Sequence, residues 1–318
     1  MKHFDAVIIG GGPSGATAAN ELAELGKNVA FIDKDGRIKP CGGAVPPRLI
    51  EDFEIPDEQV VAKIRTARMI SPTARKVDMP IENGFVGMVD RENFDEYLRQ
   101  RAQKAGASRF TGTFRRIDRL GEKPKIIFKD KKSGQERTIT AEAIIAADGA
   151  RSNTVRAEIP GGKELPYVIA YHEIVKAPPN QEVESYDPDR CDVIYDGKIS
   201  PDFYGWVFPH GKVASVGMGT GVDGVDLKAA TLELRKSAGL ANCETIRREG
   251  APIPLKPLEK WDNGKDLVLA GDAAGVVAPS SGEGIYYAMV GGQEAARAAH
   301  EFLCSGNPVK LALARKRF

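Results

Sequence analysis

The sequence predicts an α/β protein in which a parallel-sheet domain is interleaved with a second, α+β domain built on an antiparallel sheet. Three observations carry this expectation. A strand, a glycine turn, a helix and a second strand fill the first 33 residues. Two later apolar strands end in an Asp–Gly pair at 148–149 and a Gly–Asp pair at 271–272. The segments 71–90 and 161–264 fall between these motifs and are left to build the second domain. Residues 1–70, 91–160 and 265–318 are expected to form the first.

The opening stretch, "FDAVIIGGGPSGATAANELAELGKNVAFIDKD", carries the most information. Ala6 to Ile9 is an apolar run without polar alternation, as a strand buried on both faces requires. Gly10, Gly12 and Gly15 then supply GxGxxG. The first permits a tight turn, the second lets backbone approach a pyrophosphate, and the third allows close helix packing. Ala16, Ala19, Leu22 and Leu25 recur at helical spacing, and Gly26 stops the helix. The next strand ends at Asp33, placed to accept hydrogen bonds from a ribose, with Lys34 beside it. Together these parts predict a Rossmann-like dinucleotide site. A second GxGxxG match, "GTGVDG" at 219–224, has no acid after its following strand-like segment. It is expected to be a strand end and loop.

The remaining motifs favour FAD over NAD. "AEAIIAADGARSNTVR" reads as a strand followed by Asp148-Gly149 and a polar turn, after a hairpin around Ser133-Gly134. In "KDLVLAGDAAGVVAPSSGEGIYYAM" a strand ends at Asp272, and Gly282-Glu283-Gly284 opens a helix. An extended FAD needs a second anchor for its ribityl chain and ring. Asp272 can accept from a ribityl hydroxyl, and free N–H groups of the helix starting near Gly284 can face the flavin edge where reduction places negative charge. The competing reading of Asp272 is a helix N-cap.

Bulk properties exclude other classes. The 318 residues are 42% hydrophobic and 28% charged with net charge +1, so no field points to nucleic acid as partner. The four cysteines and four histidines show no metal-ligand spacing, so no metal is expected. No uncharged apolar run approaches the roughly 18–20 residues of a membrane span, and the apolar part of the N-terminus is too short for a signal peptide. A cytoplasmic location is expected. The final "KLALARKRF" stops in mid-pattern as a basic amphipathic helix, so the chain is expected to continue.

Two segments lie outside the dinucleotide pattern. "KPCGGAVP", 39–46, can be a tight turn, a redox cysteine, or a backbone strap lying against a flat ligand. Gly42 and Gly43 lack a Cβ, and Pro40, Pro46 and Pro47 stiffen the flanks. In "FYGWVFPHG", strand alternation puts Tyr204, Trp206 and Phe208 on one face. That face is either sheet core or an apolar ligand wall. Arg91 opens the helix "RENFDEYLRQRAQKAG" next to a capping Asp90; it either reaches a phosphate or pairs with a surface glutamate.

The set GGGPSG, Asp148-Gly149 and Gly271-Asp272 resembles FAD-dependent oxidoreductases of the para-hydroxybenzoate hydroxylase type. Within that type, "KPCGGAVP", "FVGMVDRENFDEYLRQRA", "YGWVFPHG" and "PIPLKPLEKWDNGKDLVLAGDAAGVVAPSSGEGIYYAM" are similar to the geranylgeranyl reductases, of the chlorophyll and bacteriochlorophyll branch. The resemblance implies an FAD enzyme, reduced transiently by NADPH, that saturates double bonds of geranylgeranyl diphosphate or of a geranylgeranylated (bacterio)chlorophyll. It implies flavin contacts at Ser14, Asp33, Cys41, Gly42, Arg91, Asp272, Gly284 and Ile285. It reads Tyr204, Trp206 and Phe208 as the wall of a prenyl tunnel, and a lipid-like substrate implies peripheral contact with a photosynthetic membrane. An isolated alkene needs a proton early or together with the hydride, and Cys41, Tyr204 and His210 are the candidate donors. The alternatives are a monooxygenase of the same fold, an archaeal-type prenyl-lipid reductase, and a non-catalytic flavoprotein of pigment synthesis. Oligomeric state is not predicted.

Overall fold

The computed structural model describes all residues except 37, 83, 163–164, 180–184 and 279. Its first half contains β1 (Lys2–Ile9), α1 (Pro13–Glu24), β2 (Val29–Asp33), β3 (Ala44–Val45), α2 (Pro47–Asp52), β4 (Val60–Ile64), β5 (Thr66–Ile70), β6 (Lys76–Pro80), β7 (Val86–Val89), α3 (Arg91–Lys104), β8 (Ser108–Asp118), β9 (Lys125–Asp130), β10 (Glu136–Ala146) and α4 (Asn153–Glu158). There follow β11 (Tyr167–Lys176), β12 (Arg190–Ile194), β13 (Gly205–His210), β14 (Val213–Thr220), α5 (Leu227–Ser237), β15 (Thr245–Pro254), β16 (Leu267–Leu269), α6 (Ile285–Ser305) and α7 (Leu313–Arg317).

The chain folds into two compact units. The first comprises 1–37, 95–166 and 254–318. Its sheet has a parallel core in the order β8, β2, β1, β10, β16, with Ile8 opposite both Phe31 and Ile145. The outer ends of β8 and β10 continue beyond that core and pair antiparallel with β9. The predicted hairpin strand and the strand at 143–147 are therefore one strand, β10, whose two halves serve different partners. Ala6, Val7, Ile8, Ile144 and Ile145 have no exposed surface, which explains why these strands lack polar alternation. The helix α6 is rich in alanine and glycine because it packs closely on α1: a Cβ on Gly292 would strike the Ser14 backbone.

The second unit comprises 38–94 and 167–253. Its seven-stranded sheet runs β15, β11, β14, β13, β12, β5, β6, and a small sheet runs β3, β7, β4. The pairs β11–β14, β14–β13, β13–β12, β5–β6, β3–β7 and β7–β4 are antiparallel, and β12 runs parallel to β5. The expected domain limits differ here. Residues 38–70 group with the second unit, because β4 pairs with β7 and β5 pairs with β6 and β12. One face of the large sheet packs Val207, Ala214, Val216 and Met218 beneath Leu234 and Ala230 of α5. The opposite face carries the aromatic side chains of β13. Among the described residues no helix is long and apolar enough to cross a membrane.

Candidate active site

In the first unit the glycine turn meets the end of β10 at Gly10 and Gly15 and the Gly–Asp motif at Ser14. Gly10 adopts φ +109°, and a Cβ there would collide with the Ala147 carbonyl. One on Gly15 would collide with the Gly10 carbonyl. The turn is thus wedged between β1 and the end of β10. Gly12, in extended conformation at the N-cap of α1, has no side-chain cap, and a Cβ there would meet nothing within 4 Å. The helix start is therefore left unfilled on the Gly12 side. The Ser14 hydroxyl, on a residue 6% exposed, has no hydrogen-bond partner among the described residues. On its other side a Cβ on Gly271, which has φ +64°, would sit 2.7 Å from Ser14 Cβ. The Gly–Asp motif is therefore clamped directly against the first glycine turn.

These features fit a dinucleotide pyrophosphate. An uncapped helix start supplies N–H donors and a positive dipole end, and a buried hydroxyl without a partner requires one from a ligand. Asp33 ends β2 as expected, and a Cβ on Gly11 would lie 2.7 Å from its Cβ. Arg99 Nη1 stands 3.3 Å from Asp33 Oδ2 and donates to the Gly11 carbonyl at 3.2 Å, tying the turn to the acid. Arg109 donates to both Glu96 oxygens at 2.7 and 2.9 Å, and these bonds hold the Glu96 carboxyl down to about 2. Arg99, Arg109 and Glu96 were not anticipated. Only the i, i+3 spacing of Glu96 and Arg99 in α3 hinted at the pair. Lys34 is exposed beside this cluster.

The second anchor is assembled by the loop before α6. Asp272 is 9% exposed, and its Oδ1 lies 3.9 Å from the position of a Cβ on Gly284, the N-cap of α6. Gly282 takes φ +64° in this loop. The N–H groups at this helix start are not all free, contrary to expectation: Glu283 Oε1 accepts from Tyr286 N at 2.9 Å. Burial pushes the Glu283 carboxyl up, and its Oε2 has no partner among the described residues. Asp148 requires a second correction. One of its oxygens accepts from Ser152 Oγ at 2.5 Å, and the other from Thr154 N and Oγ1 at 3.2 and 3.0 Å. The carboxylate is used to start α4 and offers little to a ligand.

In the second unit the strap and the aromatic strand meet. Gly43 takes φ +74°, a Cβ on it would lie 2.5 Å from His210 Nε2, and its carbonyl accepts from Val89 N at 2.8 Å. A Cβ on Gly42 would sit 3.1 Å from the Phe208 ring. Pairing of Ala44 with Met88 holds the following segment. The glycines are thus explained by close approach to Phe208 and His210. Cys41 Sγ accepts from Gly43 N at 3.4 Å. Tyr204, Trp206 and Phe208 share a face as expected, with successive ring centroids 6.0 and 6.2 Å apart. Tyr204 and Trp206 are buried, and Phe208 keeps partial exposure. Arg91 opens α3 with 5% exposure, which removes the surface-pair reading, and Asp90 Oδ1 caps the helix by accepting from Glu92 N at 3.2 Å.

The three candidate proton donors are not equivalent. Burial, with smaller contributions from Tyr195 and Cys41, raises the Tyr204 phenol far above its ordinary range. His210 Nδ1 is 3.0 Å from the Phe208 carbonyl, which can only accept, so this nitrogen carries the proton. Burial then lowers the ring to about 4, leaving a neutral imidazole with a bare Nε2. Neither group is a ready acid near neutrality. Because the folded value lies below 6.5, His210 favours folding fully above about pH 6.5 and loses that contribution as pH falls to about 4. Allowing for solvent screening, His210→Gln should abolish about 1–2 kcal/mol of this acid destabilisation, read from denaturant curves across the interval. An unchanged pH dependence would refute the neutral-ring assignment.

The second glycine match, "GTGVDG", is a strand end and loop, as expected. β14 is antiparallel to both neighbours and ends at Thr220. Asp226 then caps α5 by accepting from Lys228 N and Ala229 N at 3.1 and 3.0 Å, placing a negative charge where a phosphate would have to bind.

Comparison with known proteins agrees with this geometry. The FAD binding domain family matches residues 3–185. The chain is 63% identical over 315 residues to a geranylgeranyl diphosphate reductase of Rhodobacter capsulatus, covering 99% of this chain and 80% of that protein. It is 37% identical to the chloroplastic geranylgeranyl diphosphate reductase of Oryza sativa subsp. japonica, covering 93% of this chain and 66% of that one. Among solved structures, a geranylgeranyl bacteriochlorophyll reductase-like protein of Thermoplasma acidophilum is similar with a TM-score of 0.89 and 25% identity. That match covers 100% of this chain and 83% of the other.

Proposed function

The chain belongs to the FAD-dependent geranylgeranyl reductases, and from that premise we propose how its residues divide the work. It is an oxidoreductase that saturates carbon–carbon double bonds of a geranylgeranyl chain. The observation that carries the cofactor reading is the uncapped start of α1 with the unpartnered Ser14 hydroxyl, framed by Gly10, Gly12 and Gly15. Reduced FAD supplies the hydride when bound. Ser14 and the α1 N–H groups hold the pyrophosphate, and Asp33 holds a ribose. Asp272, with Gly282, Gly284 and Ile285, receives the ribityl end. Cys41, Gly42 and Arg91 are assigned to the flavin by family resemblance, Lys34 and Gly43 by their place next to Asp33 and Gly42, and Asp148 is reassigned to the α4 turn.

The substrate is a prenyl compound, and Tyr204, Trp206 and Phe208 are the proposed wall for its chain. The diphosphate is the proposed form of that substrate, because the relatives most similar in sequence carry it in their names. NADPH is the proposed reductant, and the enzyme is proposed to work in the cytoplasm with peripheral membrane contact where its lipid substrate resides.

An isolated trisubstituted alkene has no group to stabilise added negative charge, so hydride arrives at one carbon as a proton reaches the other. With Tyr204 raised and His210 neutral, Cys41 is the remaining side-chain donor of the three. Its S–H bond breaks toward the alkene carbon, and solvent returns the proton to sulfur afterwards.

The test offers geranylgeranyl diphosphate and the pigment ester separately to the yellow protein with NADPH under anaerobic conditions. Flavin bleaching and product masses rising by successive pairs of hydrogens are expected with the diphosphate. Cys41→Ser should retain flavin and lose about 100-fold in turnover. Full turnover in that variant rejects the donor role, and absence of bleaching rejects NADPH.

A further inference from the structure

Behind the aromatic face of β13 a hydrogen-bonded chain crosses four strands. Trp206 Nε1 donates to Ser215 Oγ at 3.1 Å. Ser215 Oγ lies 2.9 Å from His172 Nδ1, and His172 Nε2 lies 3.1 Å from Glu249 Oε2. Beyond the chain, Arg247 Nε lies 2.9 Å from Glu249 Oε1 as an ion pair. The indole can only donate, so Ser215 accepts from Trp206, and the Glu249 carboxylate can only accept, so His172 Nε2 carries a proton and donates to it. In the neutral imidazole Nδ1 is then the acceptor and takes the Ser215 proton. Ser215 is fully buried and His172 is 3% exposed, so water cannot substitute for a lost partner.

A second observation is steric and independent of the first. Gly217 pairs with His172 across β11 and with Trp206 across β13. A Cβ on Gly217 would crowd His172 Cβ and stand 2.5 Å from Trp206 Cζ2. The indole therefore lies in a notch that only glycine leaves open, pinned at its nitrogen by Ser215. The His172 and Trp206 centroids are 6.2 Å apart, so the imidazole also abuts the ring. Neither proton transfer nor redox chemistry explains a chain that ends on an indole N–H. Its physical effect is to hold one aromatic plane in one rotamer.

We propose that His172, acting through Ser215, is a positioning residue that locks the Trp206 ring in the prenyl wall and so sets how far a bound chain advances between successive reductions. The proposal rests on the reading of Tyr204, Trp206 and Phe208 as that wall. With the ring locked, the chain finds one fixed apolar surface; with the ring free, partially reduced chains seat less well and leave early.

The test uses the FAD-loaded protein labelled with nitrogen-15. Its two indole N–H signals are Trp206 and Trp261, assigned with Trp206→Phe. Trp261 donates to the Leu258 carbonyl at 3.0 Å and serves as internal control. In Ser215→Ala the Trp206 indole proton should exchange about tenfold faster while that of Trp261 is unchanged. His172→Leu should behave likewise. His172→Gln, whose amide can accept from Ser215 and donate to Glu249, should restore the wild-type signal. The same variants assayed for products should accumulate partially reduced chains, with KM for those intermediates raised about fivefold and flavin content unaltered. An unmoved Trp206 signal in Ser215→Ala and His172→Leu overturns the proposal, as does a Gln variant indistinguishable from Leu. A moved signal with the wild-type product ladder overturns it too. If the wild-type protein forms no saturated product, the reductase reading fails, while the indole signals still decide whether the lock exists.

Discussion

Gly15→Ala is expected to leave the purified protein colourless, with FAD affinity reduced by up to about 100-fold. The added methyl would fall on the Gly10 carbonyl oxygen and 3.2 Å from Ala147 Cβ. Gly10 is itself confined by β10: at φ +109° a Cβ on it would fall on the Ala147 carbonyl oxygen. Overpacking of such a site costs about 1–3 kcal/mol, and every 1.4 kcal/mol is tenfold in binding. The displaced atoms are the turn that aims the N–H groups of α1, so the cost falls on ligand binding as well as on folding. Gly26→Ala provides the control. Gly26 also has positive φ, +75°, but a Cβ there meets nothing within 4 Å. It should lower stability by about 1 kcal/mol and leave the flavin bound. Isothermal titration with FAD compares the affinities of the two variants, and denaturant curves compare their stabilities. Full flavin content in Gly15→Ala would show that this turn does not hold the pyrophosphate.

Gly43→Ala should reduce turnover by about 100-fold. The residue has φ +74°, a region that costs an L-residue about 1–2 kcal/mol, and its Cβ would lie 2.5 Å from His210 Nε2 and 2.7 Å from the Val89 carbonyl. Both neighbours are fixed, His210 by its bond to the Phe208 carbonyl and Val89 by its bond to Gly43 itself. The strap must therefore move, and Cys41 moves with it. Combining Gly43→Ala with His210→Ala removes one of the two obstacles and should recover part of the loss. A double-mutant cycle on steady-state turnover would show that coupling as a departure from additivity. Strict additivity, or wild-type turnover in Gly43→Ala, would mean that the strap's position does not matter to catalysis.

The sequence by itself determined those features that depend on a few consecutive residues. The glycine turn, the acid ending β2, the hairpin at Ser133-Gly134, the common face of Tyr204, Trp206 and Phe208, and the start of α6 were all legible. Each follows from backbone freedom or side-chain period over a short span. The resemblance carried by "YGWVFPHG" and the block around Gly271-Asp272 extended that reading to the chemistry. Tertiary structure alone decided the pairings across long separations. Sheet register brings Gly42 to Phe208, Gly43 to His210, and Trp206 to Ser215 and His172. Helix packing sets Ser14 against Gly271 and Gly292. The same contacts overturned local expectations. Asp148 turned out to be consumed by α4, the N–H groups of α6 to be shared with Glu283, and residues 38–70 to belong with the second unit. The reason is common to all three: a polar group or strand edge takes whichever partner the packed chain presents, and local sequence records its capacity to bond but not that choice.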